Sequence, residues 1–235
     1  MRTDKSVGRI IGVLIVVQMV GGFLVNFVLL NPVIAPPGFL VNATANSLQV
    51  SFTVLLGILT GAVSVGIAIT ALPVFRQYSY AMALWFLALA VVGLTLAVVE
   101  NSAVMSMLSL SQAYAKANAA DAALFETLRV VVAASRNWAH YAQVLLGGAM
   151  FLVFYSVLYR FALVPRALAA VGVIAVLLQL TAVSMPFFGY RIVMLMLMPL
   201  GLTHLALALW LIFKGFEERS SVAAKEFGAH LPREA

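Results

Sequence analysis

The chain has 235 residues, of which 64% are hydrophobic and only 9% are charged, and its formal net charge is +6. A water-soluble domain carries about 25% charged residues, so this composition excludes a soluble globular protein and places most of the surface in lipid. The sequence contains no cysteine, which excludes disulfides and thiolate metal sites.

Six long apolar runs follow one another along the chain. About 20 apolar residues cross a hydrocarbon core of roughly 30 Å as an α-helix, and each run is close to this length. Strands of a membrane barrel would alternate apolar and polar residues, and the runs do not. We therefore predict an all-α, polytopic membrane helical bundle. Its six transmembrane helices are expected at Ile10–Leu30, Leu48–Leu72, Tyr80–Val99, Trp138–Tyr159, Ala167–Pro186 and Ile192–Phe213.

The first run follows Arg2, Lys5 and Arg9, as the apolar segment of a signal peptide would. It continues to Leu30, however, which is longer than the usual segment of about 7–15 residues, and it lacks a convincing small-residue cleavage site. We interpret it as a retained first span. The link to the second span, Asn31–Gly38, contains three prolines and a glycine. We predict an uncharged exterior loop there.

Three short repeats of small or mildly polar residues recur at helical spacing within the spans. Small residues four positions apart let helix backbones approach closely. We interpret all three repeats as helix-packing faces. They are Gly8 with Gly12, Gly57 with Gly61, and Gln18 with Gly22 and Asn26.

The segment Glu100–Asn137, between the third and fourth spans, is rich in Ala and Ser and contains no Pro or Gly. Such a composition favours helix. We predict that the third helix continues past Val99 and that the fourth begins well before Trp138. Each would gain about 15 residues, or about 20 Å at helical rise, as an exterior helical extension over residues 100–137. The extension shelters a site, meets a partner, or only connects two helices.

Basic residues divide unevenly between the two sides of the predicted bundle. Ten lie on the side of the termini and four on the other. Lys and Arg accumulate in cytoplasmic loops, so we predict that both the N- and the C-terminus are cytoplasmic. The ten are Arg2, Lys5, Arg9, Arg76, Arg160, Arg166, Lys214, Arg219, Lys225 and Arg233, and the four are Lys116, Arg129, Arg136 and Arg191.

The domain organisation follows from this topology. We predict a single transmembrane helical domain over residues 1–214, a cytoplasmic C-terminal tail over residues 215–235, and a location in the cell inner membrane. The positive net charge is explained by topology and by attraction to anionic lipid. Since the chain lacks a soluble module with clustered basic and aromatic residues, we expect no nucleic-acid partner.

Ionisable side chains inside spans are costly and point to functional sites. In the fourth helix, Arg136, His140 and Gln143 follow at intervals of four and three and therefore share one face. Glu100 ends the third span on the same side and Arg191 opens the sixth, so we expect an ion pair of Glu100 with Arg136 or Arg191. The group either locks the helix ends together or binds a ligand.

A second histidine inside a span, His204, follows Pro199 by five residues. Proline removes a backbone donor, so we expect a kink at Pro199 and a small midplane pocket beside Thr203 and His204. The alternative is a core histidine that its neighbours satisfy. The candidate ligand-binding residues are thus Glu100, Arg136, His140, Gln143, Arg191 and His204.

Two intramembrane histidines raise the possibility of haem held between them. His140 and His204 differ in predicted depth by about 15 Å, which a single iron cannot bridge. The alternating Met194, Met196 and Met198 resemble soft-metal ligands, but alternation by two turns them to different faces of a helix. We therefore predict no cofactor, no metal and no catalytic residues.

The C-terminal third carries two short motifs. They resemble the bacterial multi-pass membrane protein family catalogued as domain of unknown function 4386, and Arg9 and the region of His140 agree more loosely. The resemblance implies a multi-pass membrane fold but no particular activity. In that family an acidic residue often stands where this chain has His204, so no shared carboxylate mechanism is implied. The motifs are Leu163-Val-Pro165-Arg166-Ala-Leu168 leading to Gly172, and Pro199 followed by Leu209-Trp210-Leu-Ile-Phe-Lys214-Gly215-Phe216.

For function we favour a non-enzymatic inner-membrane protein embedded in the lipid bilayer. It would bind a lipid, a small hydrophobic ligand or a protein partner, including a second copy of itself, at the exterior-facing polar cluster. The alternative is a small transporter or permease with a polar path along Glu100, Arg136, His140 and His204. A membrane-embedded enzyme comes third, because the chain has no P-loop, zinc-protease motif or nucleophile elbow.

Overall fold

The chain is all-helical in the computed structural model, which describes residues 4–217. Within that range there are helices and turns but no strand, and six helices are long and apolar enough to cross a membrane. These findings confirm the predicted all-α fold with six transmembrane helices. Lipid offers no hydrogen-bond partners, so each apolar run satisfies its own backbone groups as a helix. The helices are α1 (Asp4–Phe23), α2 (Asn31–Ile34), α3 (Phe39–Ala45), α4 (Ser47–Tyr78), α5 (Tyr80–Tyr114), α6 (Ala122–Arg160), α7 (Arg166–Ser184) and α8 (Met198–Lys214).

The helices of the third and fourth spans extend well beyond their apolar runs. Helix α5 continues to Tyr114 and α6 begins at Ala122, so most of the segment 100–137 is helical, as the composition predicts. A short connection with one 3₁₀ turn, Ala119–Asp121, joins them. The side of the membrane on which this extension lies, like the orientation of the termini, stays a prediction.

The proline-rich link after the first span is more regular than the predicted loop. The end of α1 continues as a π-helical stretch, Leu24–Leu29, and α2 then adds one turn that starts at Asn31. Pro32 fits there because the missing N–H of a helix's first turn would have no intrahelical partner anyway. The side-chain amide of Asn42 donates to the carbonyl of Ala35 at 2.8 Å and thereby holds the end of α2.

Pro199 begins a helix instead of kinking one, so the expected kink is wrong. It lies in the first turn of α8, after a separate 3₁₀ turn at Met194–Met196. A proline at the start of a helix removes no hydrogen bond, whereas one in the interior would.

The described residues form two compact units. The terminal unit comprises residues 4–16, 67–88 and 148–217, and the cavity unit comprises residues 17–66 and 89–147. The organisation of residues 1–214 as a single domain stays a prediction. Of the predicted tail, residues 218–235 lie outside the described part of the chain.

The core of the terminal unit is aromatic. Phe75 packs against Phe86, Phe154 and Phe216, with ring centroids 5.6, 5.8 and 6.2 Å away. Phe216 belongs to the segment predicted as tail, yet it is buried, and the backbone N–H of Glu217 donates to Leu163 at 2.9 Å. The folded part of this unit therefore includes the residues that directly follow α8.

The cavity unit holds an apolar cluster of its own. Val33, Phe39 and Ala43, from the link between the first two spans, are buried together with Val104 and Leu108 of α5. Ser111 reinforces this contact, because its hydroxyl donates to the carbonyl of Leu40 at 2.9 Å. The link and the first part of the extension are thus packed together within this unit.

Candidate functional site

A cavity of about 140 Å³ lies within the cavity unit. Fifteen residues line it, and nine of them are polar or charged. Helices in lipid normally face one another with apolar and small side chains, so this concentration of polar groups is unusual. The wall comes from the end of α1, from α4, and from the facing parts of α5 and α6.

Glu100 of α5 is the centre of an ion cluster on this wall. Its Oε1 accepts a hydrogen bond from Nη2 of Arg136 at 2.8 Å and one from Nδ1 of His140 at 2.9 Å. The side chains of Glu100 and Arg136 are only 11% and 13% exposed, and that of His140 is 29% exposed. The cluster forms because Arg136 and His140 are one helical turn apart on α6, which runs back alongside α5.

The carboxylate of Glu100 also determines which nitrogen of His140 carries the proton. An ionised carboxylate only accepts hydrogen bonds, so Nδ1 of His140 must be the donor. In the neutral imidazole Nε2 is then an acceptor, and it has no hydrogen-bond partner among residues 4–217. Both Glu100 and His140 line the cavity.

Two further polar groups on this wall have no partner within the described chain. Oε2 of Glu100 receives no hydrogen bond there, since both bonds to this carboxylate end on Oε1. The side-chain amide of Gln143, one turn from His140, makes no hydrogen bond to any described residue either. Both residues line the cavity, so these polar atoms can pair with water or with a ligand that enters it.

The first helix contributes Gln18, Gly22 and Asn26 to the wall. Gln18 donates its amide N–H to the hydroxyl of Ser64 on α4. Asn26 lies in the π-helical stretch and donates to the carbonyl of Gly22 at 3.0 Å. Insertions of π-helix often occur at functional sites, because the extra residue redirects side chains.

Helix α4 presents one continuous face to the cavity. Thr53 and Thr60 each donate their hydroxyl to a carbonyl one turn earlier, at 2.7 Å, which leaves the oxygen lone pairs free to accept. Gly57 lies between them and directly opposite Asn101 of α5. A Cβ at Gly57 would come within 2.7 Å of Oδ1 of Asn101, so any larger residue there would have to displace the Asn101 amide.

The structure brings together four of the six candidate residues. Glu100, Arg136 and His140 form the ion cluster, and Gln143 lines the same cavity. Arg191 belongs to the terminal unit, where it is exposed in the stretch before Met194. Of the two partners expected for Glu100, the described ion pair is with Arg136.

His204, the sixth candidate, also belongs to the terminal unit, where its surroundings are mostly apolar. Its Nδ1 is 3.0 Å from the hydroxyl of Tyr155, and its ring lies edge-on to Phe151 with centroids 4.3 Å apart. Nε2 is buried and has no hydrogen-bond partner among the described residues. His204 is thus a core histidine with one of its two nitrogens satisfied.

Several residues of the cavity wall were missed or misread in the sequence. Gln18, Gly22 and Asn26 were interpreted as a packing face, but they line the cavity, which corrects that interpretation. Thr53, Gly57, Thr60, Gly61 and Ser64 fall on a single helical face, and this periodicity is the signal that would have identified the α4 wall. Asn101 carries no comparable signal beyond its position next to Glu100.

Metal ligation has no support in the described residues. Within residues 4–217, no three His, Asp or Glu side chains converge as the ligands of a metal ion would. The polar groups on the cavity wall are hydrogen-bond donors and acceptors around the paired carboxylate of Glu100.

The match to a protein family covers the whole cavity. The family model for domain of unknown function 4386 matches residues 10–215, so the chain belongs to this family, and the resemblance seen in the sequence is confirmed. No curated protein and no solved structure matches the chain.

Proposed function

We propose that this member of the family of domain of unknown function 4386 is a multi-pass inner-membrane protein that binds a small polar ligand in its cavity. The observation that carries the proposal is the cavity of about 140 Å³, with Oε2 of Glu100 and the amide of Gln143 unpaired on its wall. Both residues lie inside candidate spans, where an unpaired polar group is especially unfavourable. A bound ligand would provide the missing partners.

The wall favours binding over the simpler hypothesis that the ion cluster only locks two helix ends. A structural ion pair between α5 and α6 needs Glu100 and Arg136, but it does not need polar side chains on α1 and α4. Gln18, Asn26 and Thr53 nevertheless turn toward the same space. The carboxylate of Glu100 and the amide of Gln143 on this wall also favour a ligand with a polar group over the small hydrophobic ligand expected from the sequence.

Blocking the cavity without disturbing its surroundings provides the test. Gly22 lines the cavity, and a Cβ added there meets no atom within 4 Å. Gly22→Leu therefore fills the space while leaving the ion cluster intact. Gly93 of α5 is equally open but does not line the cavity, so Gly93→Leu is the matched control.

The measurement is native mass spectrometry of protein released from lipid nanodiscs, after purification from the membrane of the producing cell. We expect a small adduct on the wild-type protein and on Gly93→Leu, and its loss from Gly22→Leu. A wild-type protein without any adduct, or an adduct that Gly22→Leu retains, would count against binding in this cavity.

The permease alternative depends on a polar path that includes both His140 and His204. His204 belongs to the terminal unit, where Phe151 and Tyr155 contact its ring, and no observation among the described residues favours transport over binding. A protein partner or a second copy of the chain at the extension stays a prediction.

A further inference from the structure

The net charge of the cavity wall limits the charge of its occupant. Among the residues that line the cavity, Glu100 carries the formal charge, and Arg136 balances it at 2.8 Å. With His140 neutral, a cationic ligand would leave a net charge in a half-enclosed site within the membrane, and an anionic ligand would face the carboxylate. Both cases are unfavourable, because uncompensated charge is poorly solvated there.

The free hydrogen-bonding groups of the wall are of both kinds. Oε2 of the Glu100 carboxylate only accepts, and Nε2 of His140 also accepts when the imidazole is neutral with its proton on Nδ1. Gln143 offers two N–H donors and a carbonyl, and Asn101 keeps its Oδ1 because its nitrogen donates to the carbonyl of Ala97 at 2.8 Å. A hydroxyl group donates and accepts with the same oxygen, so several adjacent hydroxyls match this wall better than an ammonium or a carboxylate does.

The volume sets the size of the group. The cavity of about 140 Å³ is close to the engineered cavity of about 150 Å³ that accommodates a benzene ring. That comparison allows about six non-hydrogen atoms. Glycerol has six non-hydrogen atoms. The glycerol headgroup of a monoacylglycerol has the same number, and its acyl chain would remain in the surrounding lipid.

We infer that the ligand is an uncharged polyhydroxyl group of the size of glycerol, either a free polyol or the headgroup of a lipid. This inference rests on the proposed function, because it names the ligand class of the same cavity. Oε2 of Glu100 accepts a hydrogen bond from one hydroxyl group of the ligand, and Nε2 of His140 accepts one from a second. The side-chain amide of Gln143 both donates a hydrogen bond to the ligand and accepts one from it.

Saturation-transfer nuclear magnetic resonance on the full chain in phosphatidylcholine nanodiscs tests this inference. The probes are glycerol, ethanolamine and lactate, which are similar in size and are neutral, cationic and anionic. We expect saturation transfer to glycerol in the wild type and Gly93→Leu, and none in Gly22→Leu. Gln143→Met removes ligand hydrogen bonds without leaving a protein partner unpaired, so glycerol should bind about tenfold more weakly to it.

A second arm distinguishes the two sources of the hydroxyl groups. Mono-oleoylglycerol is added to the nanodiscs at a constant glycerol concentration. If it displaces glycerol from both the wild type and Gly93→Leu, the ligand is a lipid headgroup. If glycerol stays bound, the ligand is a free polyol, and either result supports the inference.

The experiments distinguish a wrong ligand class from a wrong proposed function. A response to ethanolamine or lactate that Gly22→Leu abolishes, without a response to glycerol, would overturn the polyol class but leave ligand binding standing. An adduct in native mass spectrometry, without saturation transfer to any of the three probes, would likewise overturn the polyol class but not ligand binding. Silence from every probe and the absence of any adduct would overturn both the inference and the proposed function.

Discussion

Glu100 shows how much a single residue in a span reveals. An acidic side chain between apolar runs must find a cation, and only Arg136 and Arg191 were predicted near the same end. The structure pairs it with Arg136 and adds His140 on the same oxygen. The second oxygen stays without a partner in the described chain, and the proposed binding site rests on this oxygen.

The Glu100–Arg136 pair is expected to matter more for stability than a surface pair. Removing one partner of a mostly buried pair costs about 3 kcal/mol, because the other charge is left uncompensated. We predict this loss for Arg136→Met. The exposed pair Arg129–Glu126 provides the control, because its side chains are 42% and 57% exposed. Arg129→Met should change the free energy of unfolding by only about 0.5 kcal/mol.

Reversible unfolding in mixed micelles measures both variants. Adding Glu100→Gln to Arg136→Met should recover part of the lost stability, since the uncompensated carboxylate is then gone. Equal effects of Arg136→Met and Arg129→Met would show that the cluster contributes no more than a surface pair.

The hydrogen bond between Tyr155 and His204 is the second prediction at this scale. Both side chains are buried, and this is the only hydrogen bond of the His204 ring among the described residues. Tyr155→Phe should therefore lower the free energy of unfolding by about 1–2 kcal/mol, because Nδ1 is left without a partner. Tyr159→Phe on the same helix, where the side chain is 48% exposed, should be near neutral. Thermal unfolding of the two variants in the same detergent measures this difference, and an equal stability of both would contradict the prediction.

At the scale of elements, glycines determine how closely the helices pack. The predicted close approach at Gly8 and Gly12 is present, since a Cβ at Gly12 would lie 2.8 Å from the carbonyl oxygen of Ala208 on α8. Gly57 serves a second purpose, because the space it leaves is occupied by Asn101 and adjoins the cavity. The same sequence signal thus marks a packing contact in one unit and a cavity wall in the other.

Gly172 of α7 packs directly against the ring of Tyr155. A Cβ there would overlap the ring of Tyr155, whose position the core of the terminal unit holds. Gly172→Ala should cost about 1–3 kcal/mol of stability through overpacking, although alanine is the better helix former. Gly201→Ala on α8 has open space and should be neutral or slightly stabilising. Thermal unfolding compares them, and an equal response of both would contradict the close contact at Gly172.

For the whole molecule, the orientation in the membrane follows from the distribution of basic residues. The chain lacks cysteine, so single cysteines can report which side of the membrane they face. Gln77→Cys and Asn118→Cys lie next to opposite ends of α5 and remove no basic residue, so the charge bias that sets the topology is preserved. A membrane-impermeant maleimide should label position 118 in intact cells and position 77 only after lysis. The reverse pattern would place both termini outside.

The number of helices was predictable because lipid leaves an apolar segment no alternative to helix. The extension of α5 and α6 was also predictable, since its composition favours helix and contains no helix breaker. Pro199 and the link Asn31–Gly38 were misread for one reason: proline is acceptable in the first turn of a helix, and the sequence does not reveal where that turn begins. The polar face of α4 was overlooked because Thr and Gly also occur in ordinary packing faces.

The amino-acid sequence by itself determined that this protein is a six-span helical membrane protein and that Arg136, His140 and Gln143 share one helix face, because both conclusions follow from local composition and helical periodicity. It left Arg136 and Arg191 open as partners of Glu100. Only the tertiary structure decided that the end of α1, α4, α5 and α6 enclose a polar cavity, and that His204 belongs to the other unit. The reason is physical: periodicity shows which residues share a face of one helix, but which faces meet depends on packing between residues distant in the chain.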